Sequence, residues 1–311
     1  MLAKCPHLNS LIGRRPLRAP LRLLLTALLP FSSTSLSSVP PPPPLSHPGI
    51  YPAISPTSIK PWLKSLNGSV VITGATGGIG STLIKDLQTQ LNEGEKIYAL
   101  SRNAESSDLI NTTWDPSVVI PINWDCSSST SPMPNFLPSS EKLKLIIHTA
   151  ALLNGLHGPE KNLKSIDPTH FQTSMSINCY ALIQMYQELL PSLTPPTSTS
   201  SPFFINLSAR VGSTTDDKSG GWWSYRISKT ASNHSHLLAH IETNRQRYRC
   251  CFMSVHPGTT YTDLSRDFVK GVGGKVHSKE FTSERILELI GGGKEESSGG
   301  FFDWSGQSLP F

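Results

Sequence analysis

The chain has 311 residues, 37% of them hydrophobic, with 27 basic and 22 acidic side chains and a formal charge of +5. That length and apolar content suit a globular core and exclude a chain too short or too polar to bury one. The positive charge is local. Residues 1–64 hold Lys4, Arg14, Arg15, Arg18, Arg22, Lys60 and Lys64 and no acid, leaving 20 basic and 22 acidic residues beyond them, a balance that excludes a nucleic-acid-binding face on the folded part.

The Arg-rich, Ser-rich, acid-free start has the composition of an organelle transit peptide. Pro16 and Pro20 interrupt any long helix there, and the Ser-rich tract 32–38 and the proline run 40–44 read as an unstructured linker. Leu23–Leu29 is too short to span a bilayer, so no integral membrane segment is expected. A secretory signal and a plain disordered tail are the rival readings. Adjacent Cys250 and Cys251, with no Cys-x-x-Cys, fit a reducing compartment and weaken the secretory one. The expectation is a targeting segment and linker over 1–64, cleaved between Ser32 and Ser65, and one folded domain over 65–311. The destination is an organelle, the mitochondrion favoured over the chloroplast.

From residue 69 apolar strand-like runs alternate with helical patterns. Strands are expected near 69–73, 96–100, 117–122, 143–149, 202–208, 249–256 and 300–304, and helices near 78–91, 168–190, 222–245 and 282–290. The strands lack strict alternation, as expected for strands covered on both faces. This order predicts an α/β, Rossmann-type, doubly wound parallel sheet in a single domain. The Ser-, Thr- and Pro-rich stretches 126–140 and 191–201 read as surface loops.

Thr73-Gly74-Ala75-Thr76-Gly77-Gly78-Ile79-Gly80 follows the first strand and opens the first helix. Strand, glycine turn and helix is the setting in which a glycine cluster binds a dinucleotide, although a tight structural turn uses the same residues. Gly74 and Gly78 allow backbone angles that a Cβ forbids, and the helix start offers free N–H groups to a pyrophosphate. The second strand ends in Ser101-Arg102, where an NAD-preferring enzyme presents an acid. Arg102 suits a 2′-phosphate, which favours NADP(H) over NAD(H). Further along, Tyr225 and Lys229 lie four apart on one helical face. The ammonium is expected to lower the phenol from its usual value of about 10 and make it a general acid/base.

The glycine turn and Tyr-x-x-x-Lys, in this order, resemble the short-chain dehydrogenase/reductase family over residues 68–311. The ending Gly300-Phe301-Phe302-Asp303-Trp304-Ser305-Gly306 resembles C-factor-like and sniffer-like carbonyl reductases within it. The resemblance implies hydride transfer between NADP(H) and a carbonyl or secondary alcohol. Catalysis is implied at Tyr225, Lys229 and Asn178, the last holding a relay water. The cofactor is implied to lie along Gly74, Thr76, Gly78, Ile79, Gly80, Ser101, Arg102, Asp125, Ala150, Lys229, Pro257, Gly258 and Thr262. His148-Thr149-Ala150-Ala151 stands where the family usually has Asn-Asn-Ala-Gly. The usual catalytic serine, three residues before Gly212, is here Ala209. Ser208 is favoured to replace it, with Ser213 the competitor. The departure keeps open a dinucleotide-binding sensor or scaffold without turnover. A lyase or epimerase that retains NAD is a third reading, against which Arg102 counts. The resemblance also implies a homodimer or tetramer through the Asn178 and Tyr225 helices.

Some features carry less. Trp222 and Trp223 wall an apolar substrate pocket or form a core or interface pair. His234, His236 and His240 lack an acid and a third ligand, so no metal site is expected, and a helix surface or subunit contact is the better reading. His148 touches the nicotinamide ribose or is a satisfied structural histidine. Asp216-Asp217 reads as a solvated loop tip, and Thr259–Lys275, with Gly271, Gly273 and Gly274, as a substrate lid or a flexible connection.

Overall fold

The computed structural model describes residues 61–155, 158–195, 200–215, 218–246, 250–269, 276–292 and 297–311. The expected segment 1–60 lies outside them, as do Asp216-Asp217 and the glycines of 270–275.

Seven strands form one parallel sheet: β1 (Ser69–Thr73), β2 (Ile97–Ser101), β3 (Val119–Asn123), β4 (Leu143–His148), β5 (Phe203–Leu207), β6 (Cys251–His256) and, last in the chain, β9 (Gly300–Asp303). Their order is β3-β2-β1-β4-β5-β6-β9. A two-residue pair, β7 (Thr259–Thr260) and β8 (Val276–His277), stands apart from it. The crossover between β1 and β4 leaves a crevice above the carboxyl ends of the strands, the place where such sheets bind ligands.

Alternation along each strand feeds two cores. Val70 and Ile72 of β1 face Leu83, Ile84 and Leu87 of α2 (Gly78–Leu87) and Ile286, Leu287 and Ile290 of α7 (Lys279–Gly292). Val71 faces the opposite layer, with Leu182, Met185 and Leu189 of α5 (Ala181–Leu189) and Phe204 and Phe252 of the sheet. Each such side chain contributes about 1.5–3 kcal/mol on burial. No helix joins β3 to β4. Trp124, Met133, Phe136 and Leu137 from that loop cover the second core instead.

The folded domain begins earlier than 65. Helix α1 (Pro61–Lys64) carries Leu63, fully buried, and Trp62, edge-on to Phe203 at 5.8 Å. Lys144 Nζ donates to the Leu63 and Leu66 carbonyls and pairs with Glu95. The boundary expected at 64/65 falls inside this packing: Leu63 is a core residue and half-buried Trp62 packs against the core, without the long apolar run that would have marked them.

A short α3 (Leu109–Thr112) follows β2. Helix α4 (Pro168–Met175) is capped by Asp167, whose carboxylate accepts from Thr169 and His170 N–H. It passes through a π turn, Ser176–Tyr180, into α5. Single π turns are frequent at functional sites, and Asn178 stands at the centre of this one. The long α6 (Trp223–Arg245) packs on the same sheet face. Its inward residues are small and polar, Ser224, Ser228 and Ser232 at four-residue spacing, followed by His236. Ser228, Ser232 and Thr243 satisfy themselves on carbonyls one turn back, at Tyr225, Lys229 and Ala239. His236 is buried, bonded to Phe204 O at 2.9 Å and Tyr186 Oη at 2.6 Å. That corrects the expected helix surface or subunit contact: the serine face turns His236 into the core. Among the described residues no helix is long and apolar enough to cross a membrane.

Candidate active site

The glycine turn closes β1 against α2. Gly74 has φ +66°, and a Cβ there would strike Ala150 N and Thr149 Oγ1 at 2.7 Å. Gly78 differs from expectation: it begins α2 with no left-handed angle, and its need for glycine is close approach to Thr262 Cγ2, 2.7 Å from an added Cβ. Helix α2 has no side-chain cap, so the N–H groups of its first turn remain for an anion. Ile79 packs partly against the first core, and Gly80 is buried against Gly74 O.

Thr76 Oγ1 donates to Ser101 Oγ at 3.2 Å, joining the turn to the end of β2, beyond which Arg102 is exposed. Asp125, exposed after β3, accepts from Ser127 N. Ala150, Pro257, Gly258 and Thr262 follow β4 and β6 at the same sheet edge. These residues form a cradle that side chains would fill and a helix N-terminus that lacks a cap. The set fits a dinucleotide.

Tyr225 and Lys229 project from α6 toward that edge. Lys229 is 1% exposed, donates from Nζ to Leu207 O at 2.8 Å, and lies 5.8 Å from the Tyr225 ring centroid. Burial pushes Lys229 down to about 8, partly opposed by the Cys179 thiol. Burial also raises the Tyr225 phenol above its usual range, opposite to the lowering expected from Lys229. Desolvation alone sets the direction here. The phenol is therefore held protonated at neutral pH. Asn178 is buried and fully engaged: Oδ1 accepts from Leu152 N at 2.8 Å, and Nδ2 donates to Leu152 O and Ser228 Oγ. The side chain thus clips the segment after β4 to α6, with both Nδ2 hydrogens engaged and one bond accepted at Oδ1.

Around Tyr225 pack Leu153, Ala209, Val211, Trp222, Leu264 and Phe268. Ala209 thus lies in the apolar cluster around Tyr225. Its extended backbone, φ −146° and ψ 150°, turns the neighbouring Ser208 to the other side. Ser208 Oγ is buried with no hydrogen-bond partner, and Ser213 is 1% exposed. Both hydroxyls lie at the end of β5 beside the Tyr225–Lys229 pair and are as buried as that pair, so burial does not choose between Ser208 and Ser213. His148 is fully buried against Thr73 Oγ1 at 2.8 Å and pushed down to about 3 by burial, then by the charge of Lys229. Its Nε2 is buried without a hydrogen-bond partner.

The sequence offered no signal for Glu160, a lone loop acid that is buried and caps α6 through Ser224 N and Oγ. Leu264 and Phe268 carried a weak one, being four apart between the charges Asp263, Arg266 and Asp267. Trp222 has φ 52°, alone among the described non-glycine residues in the left-handed region. That conformation costs about 1–2 kcal/mol.

Residues 69–272 match the family model of the short chain dehydrogenases, well over half of the chain. The chain belongs to the short chain dehydrogenase family. It is 22% identical over 265 residues to an uncharacterized oxidoreductase of Schizosaccharomyces pombe, covering 80% of this chain and 100% of that one. The carbonyl reductase Sniffer of D. melanogaster superposes with a TM-score of 0.64 at 20% identity, covering 78% of this chain and 99% of the other. An NADPH-bound carbonyl reductase from chicken fatty liver gives 0.63 at 19% identity, with 78% and 98% covered. As a member of the family the chain is a nicotinamide-dinucleotide-dependent oxidoreductase with carbonyl-reductase-like relatives.

Proposed function

We propose that the protein interconverts a carbonyl compound and its secondary alcohol with NADP(H), Tyr225 being the proton donor. The observation that carries this reading is the buried Tyr225–Lys229 pair at the carboxyl edge of the sheet, beside a glycine cradle built for an anion. When bound, the nicotinamide supplies the hydride for reduction and accepts it in the reverse direction. Tyr225 Oη gives its proton to the carbonyl oxygen, and its burial keeps that proton in place until needed. Lys229, anchored on Leu207 O, supplies the positive charge that favours the phenolate after transfer. Asn178 contributes by fixing the Leu152 backbone against α6. Arg102 favours the 2′-phosphate of NADP(H), and the chicken relative, which was solved with NADPH, supports the same choice.

Ala209 favours one other reading, a dinucleotide-binding protein without turnover. Following NADPH absorbance against a panel of ketones and aldehydes separates the two. Carbonyl-dependent oxidation is expected, whereas tight NADPH binding with no oxidation across the panel favours the non-catalytic protein. The acid-free N-terminus further supports delivery to an organelle, the mitochondrion before the chloroplast.

A further inference from the structure

The residues before α6 take an uncommon path. Gly220, Gly221 and Trp222 follow one another at φ +63°, +69° and +52°. Glycine adopts such angles freely, and a bulky aromatic does not. Two contacts from one residue hold Trp222 there. Trp222 N–H donates to Glu160 O at 2.6 Å. The Glu160 carboxylate accepts from Ser224 N at 3.3 Å and from Ser224 Oγ. Glu160 is 4% exposed and turns its charge into the start of α6, where the helix N-terminus accommodates it. The forced path sets the indole beside the Tyr225 ring. Its ring is 6.3 Å and 70° from Tyr225, and 5.3 Å from Phe268 of the segment after β7. Backbone strain at a residue touching a reactive side chain is stored where function needs a fixed shape.

We propose that Trp222 is the specificity-determining residue of the site, the wall against which the apolar part of the carbonyl substrate lies beside Tyr225, and that Glu160 is the positioning residue that sets it. This rests on the oxidoreductase reading above. Ala209 belongs to the same apolar cluster as the indole and Tyr225, where a serine would add a polar group.

The test compares wild type with Trp222→Gly and Glu160→Gln, using acetophenone and propanal as probes with NADPH. Trp222→Gly is expected to lower the acetophenone-to-propanal ratio of kcat/KM by roughly 10- to 200-fold, the range for reshaping an apolar pocket. The change should reside in the acetophenone KM. The NADPH Kd should hold, and Tm should stay within a few degrees, because glycine accepts the left-handed angle. Glu160→Gln is expected to shift the same ratio in the same direction by less. An unchanged ratio in Trp222→Gly, or a fall in Tm with the ratio intact, overturns the proposal and leaves Trp222 a packing residue. Should wild type turn over neither probe, the oxidoreductase reading is the one in trouble, and acetophenone titrated by calorimetry into the NADPH-saturated protein reads the wall directly. Weaker binding to Trp222→Gly then supports it, and equal binding overturns it.

Discussion

Tyr225 shares an apolar cluster with Ala209, where a serine hydroxyl is expected from the family resemblance, and this bears on how the proposed carbonyl substrate is held. In the proposed reaction the phenol is the donor to the carbonyl oxygen, and Ser208 Oγ is buried without a hydrogen-bond partner. Ala209→Ser restores a hydroxyl beside Tyr225, and kcat/KM is expected to rise by about tenfold, below the 10²–10³ lost when an evolved oxyanion donor is deleted. Steady-state kinetics with the best carbonyl of the panel checks this. A fall in kcat/KM would mean that the methyl fits the substrate too closely to replace. Arg102 is proposed to govern the other end of the cofactor site. Replacing it by Ala is expected to weaken NADPH by about 1.5–3 kcal/mol, the range for hydrogen bonds to a charged group, with NADH hardly affected. Calorimetry showing equal losses for both cofactors would remove the 2′-phosphate role.

At the scale of elements, α6 inverts the usual pattern. Its buried face is Ser224, Ser228, Ser232 and His236, while Ile227, Leu238 and Ile241 are exposed. A periodicity argument looks for apolar residues inward, so it assigned His236 to the surface. Short serines let α6 sit close to the sheet, and Asn206 Nδ2 reaches across to Ser232 and Ser254. His236 and His148 are both held near 3 by burial, against an ordinary value of 6.5. The unfolded chain therefore takes up their protons first as pH falls. Their contribution is whole above about pH 6.5 and is lost progressively toward pH 3. Wild-type Tm is expected to drop across that window, and His236→Gln, which removes one titrating group, to have the shallower slope. Parallel curves in scanning calorimetry would contradict the assignment. The seven strands of the main sheet, by contrast, were legible to within two residues, because β1, β4 and β5 are buried throughout and their runs are mostly apolar. The same holds for the glycine turn and the Tyr225–Lys229 pair, whose spacing is local. What was hidden depends on distant partners. The core role of Trp62 needs Phe203, the cap from Glu160 needs Ser224, and the direction of Ser208 depends on the backbone angle of Ala209.

For the whole molecule, the apolar outward side of α6, with exposed Tyr180 beside it in chain order on the preceding helix, motivates self-association. We propose a homodimer or tetramer through these helices. Light scattering at micromolar concentration is expected to give a multiple of the subunit mass, and Leu238→Glu with Ile241→Glu to give the monomer. A wild-type monomer would contradict this. Every role assigned to the site converges on one proton. Tyr225→Phe keeps the ring against Trp222 and Ala209 and removes only the hydroxyl, so Tm and NADPH affinity are expected to match wild type. Carbonyl-dependent NADPH oxidation is expected to fall by about 10²–10⁴-fold, the usual worth of general acid catalysis. Full activity in Tyr225→Phe on a substrate that wild type turns over would contradict the account.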